Sequence, residues 1–246
     1  MNRNDGYIYV GPLVETGITV DLTSGGPANG HLPTGHLVDA GQTYTMDRGW
    51  YLRVFKPLID WLGALLALVV TAPIMAIVAL AVFITMGSPV ILRQDRVGLH
   101  GKVFSLFKFR TMAPDQRTTQ VGFVGEDRRV THKSADDPRI TPLGGVLRRT
   151  RLDELPQFLN VLTGDLSLVG PRPEMVPIVA LYEPWQHRRH AVKPGITGLW
   201  QISDTGDKLL FECTAMELEY LDSVSMATDL SIVLRTLPAM ARRSGI

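Results

Sequence analysis

The chain has 246 residues, 45% of them hydrophobic, and a formal net charge of +1, so it can build one large domain or two small ones around a packed core. The near-zero charge conceals a basic centre: residues 93–193 carry 17 Lys/Arg against 11 Asp/Glu, whereas residues 1–92 carry 4 against 6 and residues 194–246 carry 4 against 7. An anionic partner is expected at that centre, and the single cysteine, Cys213, excludes an intramolecular disulfide framework and suits a reducing compartment as a small buried side chain.

Residues 1–46 are rich in Gly, Thr, Asn and Pro and hold no apolar run near Met1 that would serve as a signal peptide. They are expected to form a disordered or flexible extension. "LGALLALVVTAPIMAIVALAVFI", residues 62–84, then runs for 23 residues without a charge. As a helix it would measure about 34 Å, enough to cross a bilayer core of about 30 Å. A single-pass span is the default for such a run, but two features oppose it. Pro73 near its middle removes a backbone hydrogen bond and predicts a kink. Basic residues also flank both ends, Arg48, Arg53 and Lys56 before it and Arg93, Arg96 and Lys102 after it, where a span shows its positive excess on one side. Those flanks suit a helix-break-helix over residues 47–92 that enters one leaflet and returns to the same face, with Thr71 bonding a group freed at the break. Charge counting alone leaves the two topologies open, and a buried helix of a soluble protein is the weaker third at this length.

"PVIL" and "VFSLFKF" have the β-branched and aromatic character of short strands, with "GLHG" as the turn of a hairpin between them. Phe104, Leu106 and Lys108 fall on one face of the second strand, and Lys108 and Arg110 emerge at its end as snorkelling surface cations or as phosphate ligands. Residues 113–138 are polar and turn-rich, a long loop that suits a lid. "PLGGVLRRT" predicts a short helix. In "RLDELPQFLNVLTG" Asp153 is placed at the N-cap of the next helix, with Pro156 in its first turn and Gly164 closing it.

At such a terminus the helix dipole and the nearby arginines both favour the ionised forms of Asp153 and Glu154. An ionised carboxylate can attack phosphorus, and its neighbour can hold a hard divalent cation such as Mg²⁺. An N-cap with an Arg149–Asp153 pair four residues apart accounts for the same residues without chemistry. In "LSLVGPRPE" a short strand leads to Arg172, bracketed by two prolines that fix the backbone and aim one guanidinium at a phosphate or carboxylate. "VKPGITGLWQIS" predicts a turn at Pro194-Gly195 and a strand ending at Trp200 and Gln201. His187 and His190 in "QHRRH" read as solvated surface residues. Two C-terminal helices are expected, the second with an apolar stripe that lies on an anionic membrane surface or packs on the core. There is no Walker loop, GxGxxG or HExxH.

Taken in order, the apolar run with its central proline, "QDRVG", "FKFRTM", "RRTRLDELPQFLNVLTGDLSLVGPRPE" and "KPGITGLWQIS" resemble the bacterial sugar transferases, the monotopic phosphoglycosyl transferases. The resemblance covers about residues 50–240 and leaves the extension 1–46 without a counterpart in the family's minimal core. It shows none of the multi-helix membrane domain of the family's larger members. It implies an α+β protein anchored by a Pro-kinked re-entrant helix at Pro73, with residues 93–246 as a cytosolic catalytic domain at the cytoplasmic membrane. It further implies that Asp153 attacks the β-phosphate of a UDP-sugar, forms an acyl-linked phosphosugar and releases UMP, after which polyprenyl (undecaprenyl) phosphate takes the sugar phosphate. Glu154 would hold Mg²⁺ together with Asp153, and Lys108, Arg110, Arg148 and Arg172 would bind phosphate. Membrane lipids are implied partners and nucleic acid is not; a homo-oligomer stays open, as do the sugar and the polymer. Where the family has a Gly-Arg pair after the Trp-Gln segment, residues 203–207 read "SDTGD", which puts sugar or nucleotide recognition in question. That departure keeps a catalytically silent membrane scaffold as the alternative. A single-pass receptor with residues 1–50 outside the cell is the other rival.

Overall fold

The computed structural model describes residues 49–113, 139–180, 182–203 and 214–242. The extension 1–46, nearly all of the loop over 113–138, Cys213 and residues 204–207 of the divergent segment lie outside the described residues. Helices and short strands alternate in what is described, the mixed architecture expected.

A short π-helical turn, Tyr51–Phe55, feeds α1, Lys56–Met86, which runs for 31 residues through Pro73 as one helix. The expected break is not an interruption of the element: a proline inside a helix removes one hydrogen bond, and the turns on either side can still close. Thr71 donates to the carbonyl of Ala67 at 2.7 Å, a bond back along its own turn of the kind that bends helices, rather than reaching the Val69 carbonyl that Pro73 leaves unpaired.

Both halves of α1 rest on the same folded body. Ala64, before the proline, is fully buried among Phe104, Leu106, Val161 and Leu166, and Asp60 accepts the N–H of Leu168 at 3.0 Å. After it, Val78 and Val82 pack against Phe109 and Leu147. The remaining surface of the helix is bare: Leu66, Val69, Val70, Ile77, Leu80 and Ile84 are each at least 60% exposed. The start of α1 is also fixed electrostatically. Asp229, far along the chain, accepts from Lys56 at 2.5 Å, Tyr51 at 2.6 Å and Tyr220 at 2.7 Å.

The predicted hairpin is present. β1, Ile91–Val97, pairs antiparallel with β2, Val103–Phe109, in a register from Ile91 opposite Phe109 to Val97 opposite Val103. Phe104 and Leu106 turn one face of β2 into the core. α2, Pro142–Thr150, begins with Thr141 accepting the N–H of Gly144 at 3.0 Å and Pro142 in the first turn. α3, Gln157–Leu162, ends at Gly164, whose φ of +86° suits the reversal there. β3, Ser167–Val169, runs parallel to β5, Gly195–Thr197, while β4, Glu174–Met175, extends the hairpin sheet by pairing with β1. A helical turn α4, Val176–Val179, and a 3-10 helix, Pro184–Ala191, intervene. α5, Leu199–Ile202, α6, Thr214–Ser223, and α7, Met226–Arg242, complete the described chain.

Three expectations are corrected here. The strand into Trp200 and Gln201 stops at Thr197, and both residues lie on α5: β3, the only partner of β5 among the described residues, ends at Val169, so beyond it the chain satisfies its own backbone in a helical turn. His190 is buried rather than solvated; in a 3-10 helix residues three apart eclipse, which sets His187 and His190 on one face against Tyr182, with ring centroids 5.6 and 6.3 Å from the tyrosine ring. Asp153 is not the N-cap of α3, a position taken by Pro156. α7 packs on the core through Ile232 and Ala239, and leaves Met226, Leu230, Val233 and Leu234 exposed.

Close approach dictates one glycine. A Cβ on Gly144 would lie 1.8 Å from the backbone oxygen of Thr111, whereas one on Gly145 meets nothing nearer than 4.0 Å. Gly144→Ala is therefore expected to push α2 off the end of β2 and cost about 1–3 kcal/mol. Gly145→Ala should be neutral or stabilising by up to about 1 kcal/mol through helix propensity. Thermal unfolding of the two variants in the same detergent distinguishes the outcomes, and equal melting temperatures would contradict the packing described.

Candidate active site

α2 ends abruptly because Arg151 takes the left-handed conformation (φ 56°, ψ 18°), a strained one for a residue with a side chain. The chain reverses there, and Leu152–Glu154 forms a separate 3-10 turn before α3. This reversal is why the sequence-based placement of Asp153 fails. It also removes the Arg149–Asp153 pairing, since the two residues no longer share a helix. What the turn achieves is to present both carboxylates towards the end of β2. Asn160 of α3, fully buried, sets the distance between them: its side chain accepts from Phe107 N at 2.9 Å and donates to Ser105 O at 2.8 Å. Lys108, the next residue of β2, is thereby held over Glu154.

Glu154 is the meeting point of three cations. Its Oε1 is 3.1 Å from Lys108 Nζ and 3.3 Å from Arg172 Nη2, and its Oε2 is 3.6 Å from Arg151 Nη1. Asp153, by contrast, is buried and makes no ion pair with any described residue. The two neighbours consequently titrate in opposite directions. Burial, and then the negative charge of Glu154, push Asp153 up to about 6, against the opposing pull of Lys108, Arg148 and Arg151. Burial would raise Glu154 as well, but Lys108, Arg172 and Arg151 outweigh it and hold that carboxyl well below the usual range. Dipole and arginines were expected to favour ionisation of both; for Asp153 desolvation and the adjacent anion reverse the direction, although at pH 7 the carboxylate still predominates.

Arg172 arrives from the Pro171–Pro173 bracket after β3. Its position depends on a close approach of β5 to the chain leaving β3, since a Cβ on Gly195 would lie 2.1 Å from the backbone nitrogen of Gly170. The guanidinium rests over the Trp200 ring, 5.7 Å from its centroid, a cation–π contact. A small open void beside Glu154 is lined by Arg96, Leu106, Lys108, Gln157, Arg172, Pro173 and Gly195.

The other expected phosphate ligands sit differently. Arg148 donates from Nε to Thr111 Oγ1 at 3.2 Å, and its charge acts on Asp153. Arg110 is buried and gives its donors to the main-chain carbonyls of Met86, Ser88 and Met112 at 3.1–3.2 Å. Its geometry ties the exit of α1 to β2, and an Arg at this place in the sequence carries no mark that would distinguish that task from phosphate binding. Pro73, on α1, is not among the residues around the carboxylates. Arg96 and Arg151 belong to the cluster and are not among the site residues expected from the sequence, although both lie within its motifs. Arg96 reaches Glu174 at 3.6 Å and Pro173 O at 3.3 Å, and burial lowers it to about 10.

No group of three or more His, Cys, Asp or Glu side chains that would cage a metal occurs among the described residues. Asp153 and Glu154 are the carboxylates that would hold Mg²⁺ there, an ion that takes one or two protein carboxylates and completes its octahedron with phosphate oxygens and water.

Comparison with known proteins identifies the arrangement. The model of the family described as "Bacterial sugar transferase" matches residues 51–243. The chain is 38% identical over 207 residues to galactosyl transferase CpsE of Streptococcus agalactiae, covering 82% of this chain and 46% of that protein. It is 37% identical over 198 residues to the exopolysaccharide production protein ExoY of Sinorhizobium fredii, covering 78% and 88%. It is 40% identical over 194 residues to the UDP-glucose:undecaprenyl-phosphate glucose-1-phosphate transferase of Escherichia coli, covering 75% and 40%. The chain thus spans less than half the length of the first and third and most of the second. The chain belongs to the bacterial sugar transferase family.

Proposed function

We propose that the chain transfers a sugar 1-phosphate from a UDP-sugar to undecaprenyl phosphate, releasing UMP, as the first membrane step of exopolysaccharide or related glycan synthesis. The observation that carries this reading is the division between the two adjacent carboxylates. Glu154 is locked by three cations, whereas Asp153 is desolvated and unpaired among the described residues. A desolvated carboxylate with no direct ion pair is the better nucleophile, and the cations near it, Lys108, Arg148 and Arg151, stabilise charge moving between phosphate oxygens. The relatives' names supply the substrate class: UDP-glucose and undecaprenyl phosphate for one, exopolysaccharide production for another.

In the first step an Asp153 carboxylate oxygen forms a bond to the β-phosphorus of the donor. The bond from that phosphorus to the bridging oxygen breaks, and UMP leaves with the electron pair. In the second step a phosphate oxygen of the polyprenyl phosphate attacks the same phosphorus, the acyl-phosphate bond breaks, and the Asp153 carboxylate is regenerated. Lys108 and Arg172 hold phosphate oxygens on the Glu154 side, and Arg148 and Arg151 supply positive potential on the Asp153 side. Mg²⁺, held by Asp153 and Glu154, would neutralise diphosphate charge.

The anchor reading follows from α1. A helix of 31 residues is about 46 Å long, yet residues from both its halves pack on one folded body while its middle is bare and apolar. This supports a monotopic anchor that enters and leaves on the cytoplasmic face, with the exposed apolar side of α7 resting on the same surface. The acceptor phosphate lies at that surface and the donor is in the cytosol, so a site beside the interface reaches both.

Purified protein with Mg²⁺, UDP-glucose or UDP-galactose and undecaprenyl phosphate is expected to release UMP and not UDP. Asp153→Asn should lower that rate on the order of a thousandfold or more. Arg188→Ala, which removes only an exposed 3.6 Å pair with Asp222, should leave it within about twofold. Chelation should stop turnover and Mg²⁺ restore it. UDP as the product, or full activity of the Asp153 variant, would contradict the reading.

The pH profile follows from the same carboxylate. Because Asp153 is pushed up to about 6 and only its ionised form attacks, kcat/KM should fall as pH drops through about 6. Glu154, held far lower, does not titrate in that window. A profile flat down to pH 5 would contradict the assignment. For the topology, single cysteines at Trp50 and Lys102 in a Cys213→Ser background should both resist an impermeant thiol reagent in intact cells. Reaction of the residue-50 cysteine alone would establish a span.

A further inference from the structure

We propose that the buried Arg189–Glu217 pair is a positioning device for Arg172, fixing its main chain so that the guanidinium is aimed at donor phosphate; the inference rests on the phosphate role given to Arg172 above. The bracket Pro171–Arg172–Pro173 has one N–H and three carbonyls to satisfy. Pro171 O accepts from Gly195 N at 2.8 Å, and Pro173 O accepts from Arg96 Nη1 at 3.3 Å. The two groups of Arg172 itself both go to the pair. Its N–H donates to Glu217 Oε1 at 2.9 Å, and its carbonyl accepts from Arg189 Nη2 at 2.5 Å. Arg189 and Glu217 then close the ring on each other, Nη2 to Oε2 at 2.5 Å, with side chains only 2% exposed.

Nothing in this ring touches the void beside Glu154; it grips the residue that does. Glu217 stands on α6 and Arg189 on the 3-10 helix Pro184–Ala191, two elements joined also by Gln186 and Thr214 at 3.5 Å. Arg189 is held in turn by the Tyr182 hydroxyl and lies over the Tyr182 ring. A buried ion pair is poor evidence for stability, because desolvation offsets its attraction, and fixing one geometry is the better-attested use of such a pair. Here the geometry fixed is one backbone residue, clamped at both its donor and its acceptor. An arginine side chain is long, so a small displacement of its Cα moves the guanidinium relative to a reacting phosphate, and a 1 Å error can cost about a hundredfold in rate.

A double-mutant cycle tests the idea. Glu217→Gln keeps an acceptor for Arg172 N–H and removes the charge facing Arg189; Arg189→Lys keeps the charge and withdraws the fork; Tyr182→Phe removes only the hydroxyl behind Arg189 and serves if the others fail to fold. Each is measured in the wild-type and the Arg172→Ala background, reading kcat and KM for the donor, the Kd for pyrophosphate and the melting temperature. In the wild-type background kcat/KM is expected to fall about tenfold or more for the first two, with weaker pyrophosphate binding. In the Arg172→Ala background the same changes should lower neither quantity more than about twofold, because the group they position is gone. Equal losses in both backgrounds, the signature of a merely structural pair, would overturn the proposal. If the wild-type chain releases no UMP, the reaction assigned above has failed, while the pyrophosphate arm still decides whether the pair acts through Arg172.

Discussion

The carboxylate of Glu154 is the point on which the arrangement depends. Lys108 comes from β2, Arg151 from the reversal after α2, and Arg172 from the proline bracket after β3, and each meets Glu154 within 3.6 Å. At an effective dielectric of about 20, like charges 4 Å apart repel by about 4 kcal/mol, so three cations gathered without a central anion would drive these segments apart. Glu154 lets the three cations stand together, and in the proposed function they form a phosphate-binding surface before any phosphate arrives. It also fits the role proposed for the adjacent residue: Glu154 takes the direct ion pairs, and Asp153 is left desolvated beside an anion.

That division needs rigid supports, and the chain supplies one for each partner. The left-handed turn at Arg151 detaches Asp153 and Glu154 from both neighbouring helices. Asn160 stitches α3 to β2 and so fixes Lys108 against the turn. The close approach of Gly170 and Gly195 and the clamp of Arg189 and Glu217 fix Arg172. The long apolar helix belongs to the same construction, because residues at both its ends are bonded into the body that carries these groups. The helix and the site are thus joined in one body, which suits the reaction proposed above between a soluble donor and a membrane-embedded acceptor.

Much of this was legible in the chain. The hairpin was readable from its β-branched and aromatic residues, α2 from the stretch PLGGVLRRT, and the membership of Asp153, Glu154, Lys108 and Arg172 in one site from an ordered set of motifs. What sequence periodicity could not supply was the reversal at Arg151. A left-handed arginine has no local signature, so the two carboxylates were placed on the N-terminus of a regular helix and given a shared direction of titration. The main-chain bonds of Arg110 were hidden for a related reason. A guanidinium satisfies main-chain carbonyls as readily as phosphate, and only the three-dimensional position of Met86 and Ser88 tells the two apart. The buried tasks of His190, Arg189 and Glu217 depend on contacts between elements distant in the chain, which no spacing within a single segment encodes.

The central claim, that the unpaired carboxylate is the nucleophile, is tested most directly by mass. Protein incubated with UDP-sugar in the absence of acceptor should gain the mass of one hexose phosphate, located on the peptide containing Asp153, and lose it when undecaprenyl phosphate is added. An unmodified Asp153 peptide under conditions in which UMP is being released would contradict the account.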